Sequence, residues 1–355
     1  MSSAEKGVSL LSEKIFVIDY WHQWVDFRLE NKKIKPKTAI RYKQYIENNL
    51  APLTSNMALD QIQPVHIDLW ISDLIEKGGV NGTKLSSKTV FDIYCMIRAS
   101  FNQAVKWRKL AFNPALFVDP PIVEKSERMI TDRAGIAQII EAVSNTKYRI
   151  PVLIAISTGM RRAEIAGLRW EDFIEDEDQS RFIVRRNLQL ISGQLVEGTT
   201  KTRKSRIAPA PPSLVAILKE HRKWQEEQAA ESPNGFQNDG WICTHPNGKP
   251  FSPDSLSHAF YHIAKHAKLT GLTLHGLRHT LGTEELNNGV AEAIVAGMLG
   301  HNVKILREIY YHSRSSAQNQ ARNVAEQLLN PPAKPQIRIV EWPSIDSGDG
   351  EAKAL

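Results

Sequence analysis

Cysteine is scarce. Cys95 and Cys243 are the only two in 355 residues, they stand far apart, and no CxxC occurs. That argues against a disulfide framework or a zinc ribbon and fits a reducing cytoplasm. Long apolar runs are missing too. The longest candidate, Ile150 to Ile156, holds seven residues, one of them proline, against the ~20 that a membrane-spanning helix needs. The N-terminus, MSSAEKGVSL, lacks the basic-then-apolar profile of a signal peptide. A large charge excess is also absent, the formal net charge being +6, so its placement says more than its total. The apolar, aromatic and charged fractions are ordinary for a globular protein, and the length suggests two or three domains.

Two stretches concentrate the positive charge. Lys32 to Lys43 (KKIKPKTAIRYK) has six cations, Lys32, Lys33, Lys35, Lys37, Arg41 and Lys43, and no carboxylate. Lys201 to Arg206 (KTRKSR) has four cations in six residues, with Arg203 and Lys204 in its middle. One such run alone reads equally well as a solvated face. Two in one chain point to a polyanion, because each neutralised phosphate releases counterions.

Residues 1–13 are polar and read as a flexible N-terminus. From Lys14 to about Trp107 the periodicity is helical. Phe16, Tyr20, Trp24 and Phe27 recur at spacings of three and four, one apolar stripe, and a small bundle of four or five helices follows. LSSKTV offers serine N-caps for the last of them. NPALFVDPP, Asn113 to Pro121, has three prolines in nine residues and reads as a hinge or extended linker. A first domain is therefore expected over 14–122 and a second over 123–330. The second mixes helices with a β-rich patch, RFIVRRNLQL, GQLVEG and RKSRIAPAP, read as a hairpin or three-stranded meander. The fold class is thus mainly α with a small antiparallel β-sheet. The tail, 331–355, is either disordered or docks through IRIVEW as an edge strand.

The chemistry-bearing residues lie in the second domain. In STGMRRAEIAGLRW, Arg161 and Glu164 are three apart, so a helix would put them on one face. A carboxylate-held guanidinium keeps donors for bidentate binding of an oxyanion. In LHGLRHT, His275 and Arg278 likewise share a face, a proton-transfer group beside an anion clamp. A zinc site there would need a third ligand, and the neighbouring sequence offers no acidic or cysteine side chain at a useful offset. In GMLGHNVKILREIYYH, Tyr310 follows His301 by nine residues. One straight helix would turn them about 180° apart, but Gly300 before His301 and Asn302 as an N-cap allow a break.

This ordered set resembles the tyrosine recombinase, or phage integrase, family. It is carried by TGMRRAEIAGLRW, the lysine of TKTRKSR, HGLRHT, LGH and a tyrosine nine residues on. The resemblance covers the whole second domain, and the first domain looks like the family's helical core-binding, SAM-like domain. By resemblance, Arg161 and Arg278 are the two catalytic arginines and Glu164 supports the first. Lys201 is the β-hairpin lysine that protonates the leaving 5′ oxygen. His275 assists proton transfer, His301 hydrogen-bonds the phosphate, and Tyr310 is the nucleophile. The implied activity is site-specific DNA cleavage and rejoining through a 3′-phosphotyrosine, integrating or excising a phage or mobile element. No metal, ATP or other cofactor takes part.

Further expectations follow from the resemblance. The partners are double-stranded DNA target sites, a homotetramer on two duplexes, a DNA-bending host factor and an excisionase. The location is the bacterial cytoplasm, at the nucleoid, with no membrane. The two domains are expected to embrace opposite faces of the duplex, with Lys32 to Lys43 near phosphates. About 14 residues precede the first helix, so an N-terminal arm-binding domain is read as absent, reduced or removed. The alternatives are a type IB topoisomerase-like relaxing enzyme and a non-catalytic DNA-binding protein on the same fold.

Overall fold

The aromatic stripe at the start of the chain lies along one helix, α1 (Val17–Glu30), with Phe16 as its N-cap. This computed structural model describes residues 14–310 apart from 55, 80–81, 125–128, 178, 200–204, 232–235, 237–238 and 301. Its contacts divide the chain into two units, Met1–Arg128 with Leu190–Val196, and Met129–Gln189 with Glu197–Leu355.

In the first unit, α1 is followed by α2 (Pro36–Tyr45), a π-helical turn at Ile46–Leu50, α3 (Ala51–Thr54), α4 (Pro64–Lys77) and α5 (Ser87–Lys106). Proline at the first turn starts α2 and α4, where its missing N–H costs nothing. The serine cap expected for α5 is Ser86, whose Oγ accepts from the Thr89 amide at 3.2 Å. Trp21 meets Trp70 edge-on and stacks on Phe101, at centroid separations of 6.1 and 6.0 Å. Its Nε1 donates to Ser100 Oγ at 2.9 Å, so the indole is buried without an orphaned donor.

The proline-rich stretch differs from the free linker that its composition suggests. Pro114–Phe117 forms a 3-10 turn, and Ala115 and Val118 are buried in the core of the first unit. Tyr94 Oη bonds the carbonyls of both, at 3.1 and 3.0 Å. The helix before it has already ended at Lys106 and Pro114 opens the 3-10 turn; two apolar side chains and one tyrosine hydroxyl keep the segment packed.

The second unit opens with α6 (Arg133–Val143), α7 (Arg149–Thr158) and α8 (Arg162–Ala166). The strands β1 (Phe173–Ile174), β2 (Arg181–Val184), β3 (Arg186–Ile191), β4 (Gln194–Thr199) and β5 (Arg206–Pro209) come next in the chain, Leu190–Val196 of β3 and β4 being counted with the first unit. They form two sheets rather than one meander. One is antiparallel with order β1-β2-β5, the other is the β3–β4 pair. The break falls at Arg185 between β2 and β3. Buried Asp172 takes both Arg185 and Arg186, at 2.6 and 3.4 Å, and these ion pairs hold the chain where it leaves the first sheet. The β3–β4 turn uses Ser192 and Gly193, both at positive φ, the geometry a two-residue hairpin needs.

The helices α9 (Pro212–Glu231), α10 (Pro253–His266), α11 (Leu274–Asn287), α12 (Glu292–Leu299) and α13 (Val303–Tyr310) complete the unit. Phe182, Val184 and Ala208 from the sheet pack with Ile165, Phe251, Phe260 and Leu277 in its main core. A smaller apolar cluster, Val295, Ala296, Leu299 and Leu306, fastens α13 to α12. The protein is mainly α with small antiparallel sheets. Among the described residues no helix is long and apolar enough to cross a membrane.

Candidate active site

Two helix ends build the centre of the site. α7 stops at Gly159 (φ 60°, ψ 22°) and α12 at Gly300 (φ 62°, ψ 45°), both left-handed. Glycine is favoured at such caps because it carries no Cβ penalty. Close packing adds a second reason: a Cβ at Gly159 would stand 2.6 Å from Leu299 Cδ2, and one at Gly300 would stand 3.0 Å from Arg206 Cδ.

Arg278, on α11, ties these ends together. Its side chain is fully buried. Nη1 donates to the Gly159 carbonyl at 2.6 Å and Nη2 to the Leu299 carbonyl. The guanidinium thus sits where the negative ends of two helix dipoles converge, which favours a cation there.

Arg161 is held differently. Its backbone is extended (φ −72°, ψ 148°), so it is the N-cap of α8 rather than a residue on that helix. The link to Glu164 is a capping interaction: the Arg161 amide donates to Glu164 Oε2 at 2.8 Å, and Nη1 donates to Oε1 at 3.0 Å. Nη2 donates to the Gly300 carbonyl at 3.1 Å. The spacing of three was informative, but the short side chain of Glu164 reaches backwards to the cap instead of along a face.

Glu164 has a second partner that sequence reasoning missed. Arg206, on β5, grips both its oxygens, Nη1 to Oε1 at 2.9 Å and Nη2 to Oε2 at 2.6 Å. Burial would raise the Glu164 pKa, but the hydrogen bonds and charge of Arg206, with those of Arg161, outweigh it and bring it to about 2. Only the basic composition of KTRKSR hinted at Arg206; nothing in it singled out the one residue that turns inward.

His275 is exposed, with its ring edge-on to buried His279 at 4.5 Å. With Met160, Arg161, Arg162, Ser257 and Tyr261 it lines a cavity of about 720 Å³. Arg162 binds Ser257 Oγ at 2.7 Å and Asp254 at 3.1 Å, tethering α8 to α10. The structure therefore brings Arg161, Glu164 and Arg278 onto adjoining backbone, with His275 opening into the same cavity as Arg161. Lys201, Arg203, Lys204 and His301 lie outside the described residues, as does the tail. Tyr310 is the last residue of α13; its side chain is outside them too. The capping part of the expected break is present: Asn302 Oδ1 accepts from the Lys304 amide at 3.0 Å.

In the first unit, Lys32, Lys33, Lys35, Lys37 and Arg41 are exposed around the start of α2. Lys33 lies 5.0 Å from the Phe27 ring centre and Arg41 5.9 Å from that of Tyr45. Lys43 departs from the set: it is half-buried and paired with Asp26 at 2.7 Å, so much of its charge is already answered.

What this arrangement offers is one oriented guanidinium, Arg161, and an imidazole, His275, at an open cavity suited to an oxyanion, with a second guanidinium, Arg278, buried behind the shared Leu299–Gly300 corner. Residues 130–317 match the phage integrase family, and residues 18–75 match the phage integrase N-terminal SAM-like domain. A tyrosine recombinase XerC-like protein of Caldanaerobacter subterraneus subsp. tengcongensis is 26% identical over 88% of this chain and 83% of its own. The integrase of Mycobacterium phage L5 is 22% identical over 89% of this chain and 80% of its own. Among solved structures, the Tn1549 transposon integrase in complex with transposon right-end DNA superposes with a TM-score of 0.71 at 19% identity, covering 88% of this chain and all of that one. A lambda integrase tetramer bound to a Holliday junction gives 0.60 at 16% identity, over 83% of this chain and 78% of that one. The chain belongs to the phage integrase family, and with it to the tyrosine-type site-specific DNA recombinases.

Proposed function

We propose that this phage integrase family member cleaves DNA with Tyr310 and integrates or excises a phage or mobile element. The observation that supports the reading best is the pair of arginines fixed by backbone. Arg161 and Arg278 share the Leu299–Gly300 corner, one residue before His301. A phosphodiester repels nucleophiles, and two pre-oriented guanidiniums at its non-bridging oxygens stabilise the extra charge of the transition state.

The steps balance without a high-energy cofactor. Tyr310 Oη attacks phosphorus as the bond to the 5′ oxygen breaks. The phenol has a pKa of about 10, so its proton leaves with help from His275 and the cationic surround. Lys201 gives a proton to the departing 5′ oxygen, which is far more basic than the phenolate. His301 hydrogen-bonds the phosphoryl oxygen. The product is a 3′-phosphotyrosine; attack by a 5′ hydroxyl reverses the exchange and frees the tyrosine. One phosphate ester replaces another at each stage, so rejoining needs no ATP.

Lys32, Lys33, Lys35, Lys37 and Arg41, with Arg203 and Lys204, are assigned to DNA phosphates. Lys43 is assigned a lesser share because of Asp26. Four copies act on two duplexes, with a DNA-bending host factor and an excisionase as accessory partners, in the cytoplasm at the nucleoid. Native gels of protein with two duplexes, with and without such factors, test this assembly.

The direct experiment uses a nicked suicide duplex, recovered by covalent capture from a randomised pool. Wild-type protein should form an SDS-resistant adduct that Tyr310→Phe abolishes and Tyr311→Phe retains. An adduct lost only in Tyr311→Phe would move the nucleophile by one residue. Relaxation of plasmid DNA without site dependence would instead indicate a topoisomerase-like enzyme.

A further inference from the structure

Arg206 makes more contacts to the site than any role in DNA binding requires. It is nearly buried, with 12% of its side chain exposed, against 5% for Glu164. Its fork of two Nη donors meets both Glu164 oxygens, the bidentate match that a guanidinium makes and an ammonium cannot. Its Nε, pointing the other way, donates to the Met298 carbonyl at 2.9 Å. Its Cδ is where a side chain at Gly300 would have to go. One residue thus touches the carboxylate that holds Arg161 and the loop whose next carbonyls hold Arg278 and Arg161. It also starts β5, five residues beyond Lys201.

We infer that Arg206 is a positioning residue for the recombination chemistry, locking Glu164 and Arg161 on one side and the Met298–Gly300 corner on the other. This rests on the phosphotyrosine reading above. Arg206 does not touch DNA; it fixes where the phosphate-binding guanidinium and the residue after Gly300 stand. Without it, Glu164 keeps one arginine of two and the corner loses an anchor on its Met298 side. Displacement of a reacting group by about 1 Å can lower a rate about 100-fold.

The test compares wild type, Arg206→Lys and Arg206→Gln in the full chain on the captured suicide duplex, under single-turnover conditions at saturating DNA. Misplacement lowers the rate of adduct formation; misfolding lowers its amplitude. Both variants should lose rate by about 100-fold with amplitude, DNA affinity and circular dichroism near wild type. Arg206→Lys, which keeps the charge but not the fork, should do little better than Arg206→Gln. A second duplex carries sulfur in place of the bridging 5′ oxygen, a leaving group that needs no proton. It should restore Lys201→Ala and leave the Arg206 variants slow, because their defect lies on the phosphate side. Unchanged rates, loss of amplitude alone, or restoration of the Arg206 variants by sulfur would each overturn the assignment. A wild type that forms no adduct, or an adduct that survives both Tyr310→Phe and Tyr311→Phe, would overturn the phosphotyrosine reading itself and the assignment with it.

Discussion

The cations of the two units are alike in charge and opposite in surroundings. Around the start of α2, Lys32, Lys33, Lys35, Lys37 and Arg41 stand in solvent, free to move and screened by salt within about 10 Å at 0.1 M. In the second unit, Arg278 is fully buried, Arg206 nearly so, and Arg161 is pinned by a carboxylate and a carbonyl. The first set can contribute only summed charge, so its members are interchangeable. The second contributes direction, and each member is specific to its place. In the recombination reading, affinity comes largely from the former and rate from the latter.

The sharpest way to break that division is Arg278→Ala. It removes a guanidinium and leaves two helix-end carbonyls without their donor. We expect single-turnover cleavage to fall about 100- to 1000-fold with little change in DNA affinity. Cleavage at the wild-type rate would remove Arg278 from the chemistry.

Glu164→Gln comes next, because it leaves two arginines facing a neutral amide in a nearly buried site. A loss of about 3 kcal/mol is expected, read as a lower melting temperature. The same group gives a pH signature. Its folded pKa lies near 2 against an ordinary 4.5, so its stabilisation is complete above about pH 4.5 and is lost as pH falls towards 2. In Glu164→Gln the melting temperature should vary less over that range than in wild type. An identical acid limb in both proteins would show that Glu164 is not held as described.

A smaller effect, of a different kind, is expected from Lys35→Glu with Lys37→Glu. If both contact phosphates, the log–log salt slope of DNA binding should flatten by about 2, equally for any sequence. An unchanged slope would take these lysines out of the interface. Smallest of all should be Lys43→Ala, since Asp26 already answers that charge at 2.7 Å; its slope should move less than that of Lys35→Ala.

Local pattern made much of this legible. The α1 stripe, the Ser86 cap, the helix end at Gly300 and the Asn302 cap were readable because each depends on residues within one or two turns. Arg161 with Glu164 was half readable: the pairing was right, but the capping geometry depends on an extended Arg161 that spacing alone does not reveal. Arg206 was not, because its carboxylate is 42 residues away and its neighbours in KTRKSR carry the same charge. The split of the meander into two sheets was hidden for a similar reason, Asp172 meeting Arg185 across 13 residues. For Lys201, His301 and the Tyr310 side chain, the family pattern is the ground of the assignment, since they fall outside the described residues.

The division between directing arginines and summed lysines is tested most directly by one pair of rates. Cleavage of the suicide duplex is measured under single-turnover conditions at saturating DNA for Arg278→Lys and for Lys35→Glu with Lys37→Glu. The lysine variant should reach the wild-type rate once enough DNA is present, and Arg278→Lys should stay about 100-fold slower at any DNA concentration. An Arg278→Lys rescued by DNA concentration, or a lysine variant that stays slow at saturation, would contradict the account.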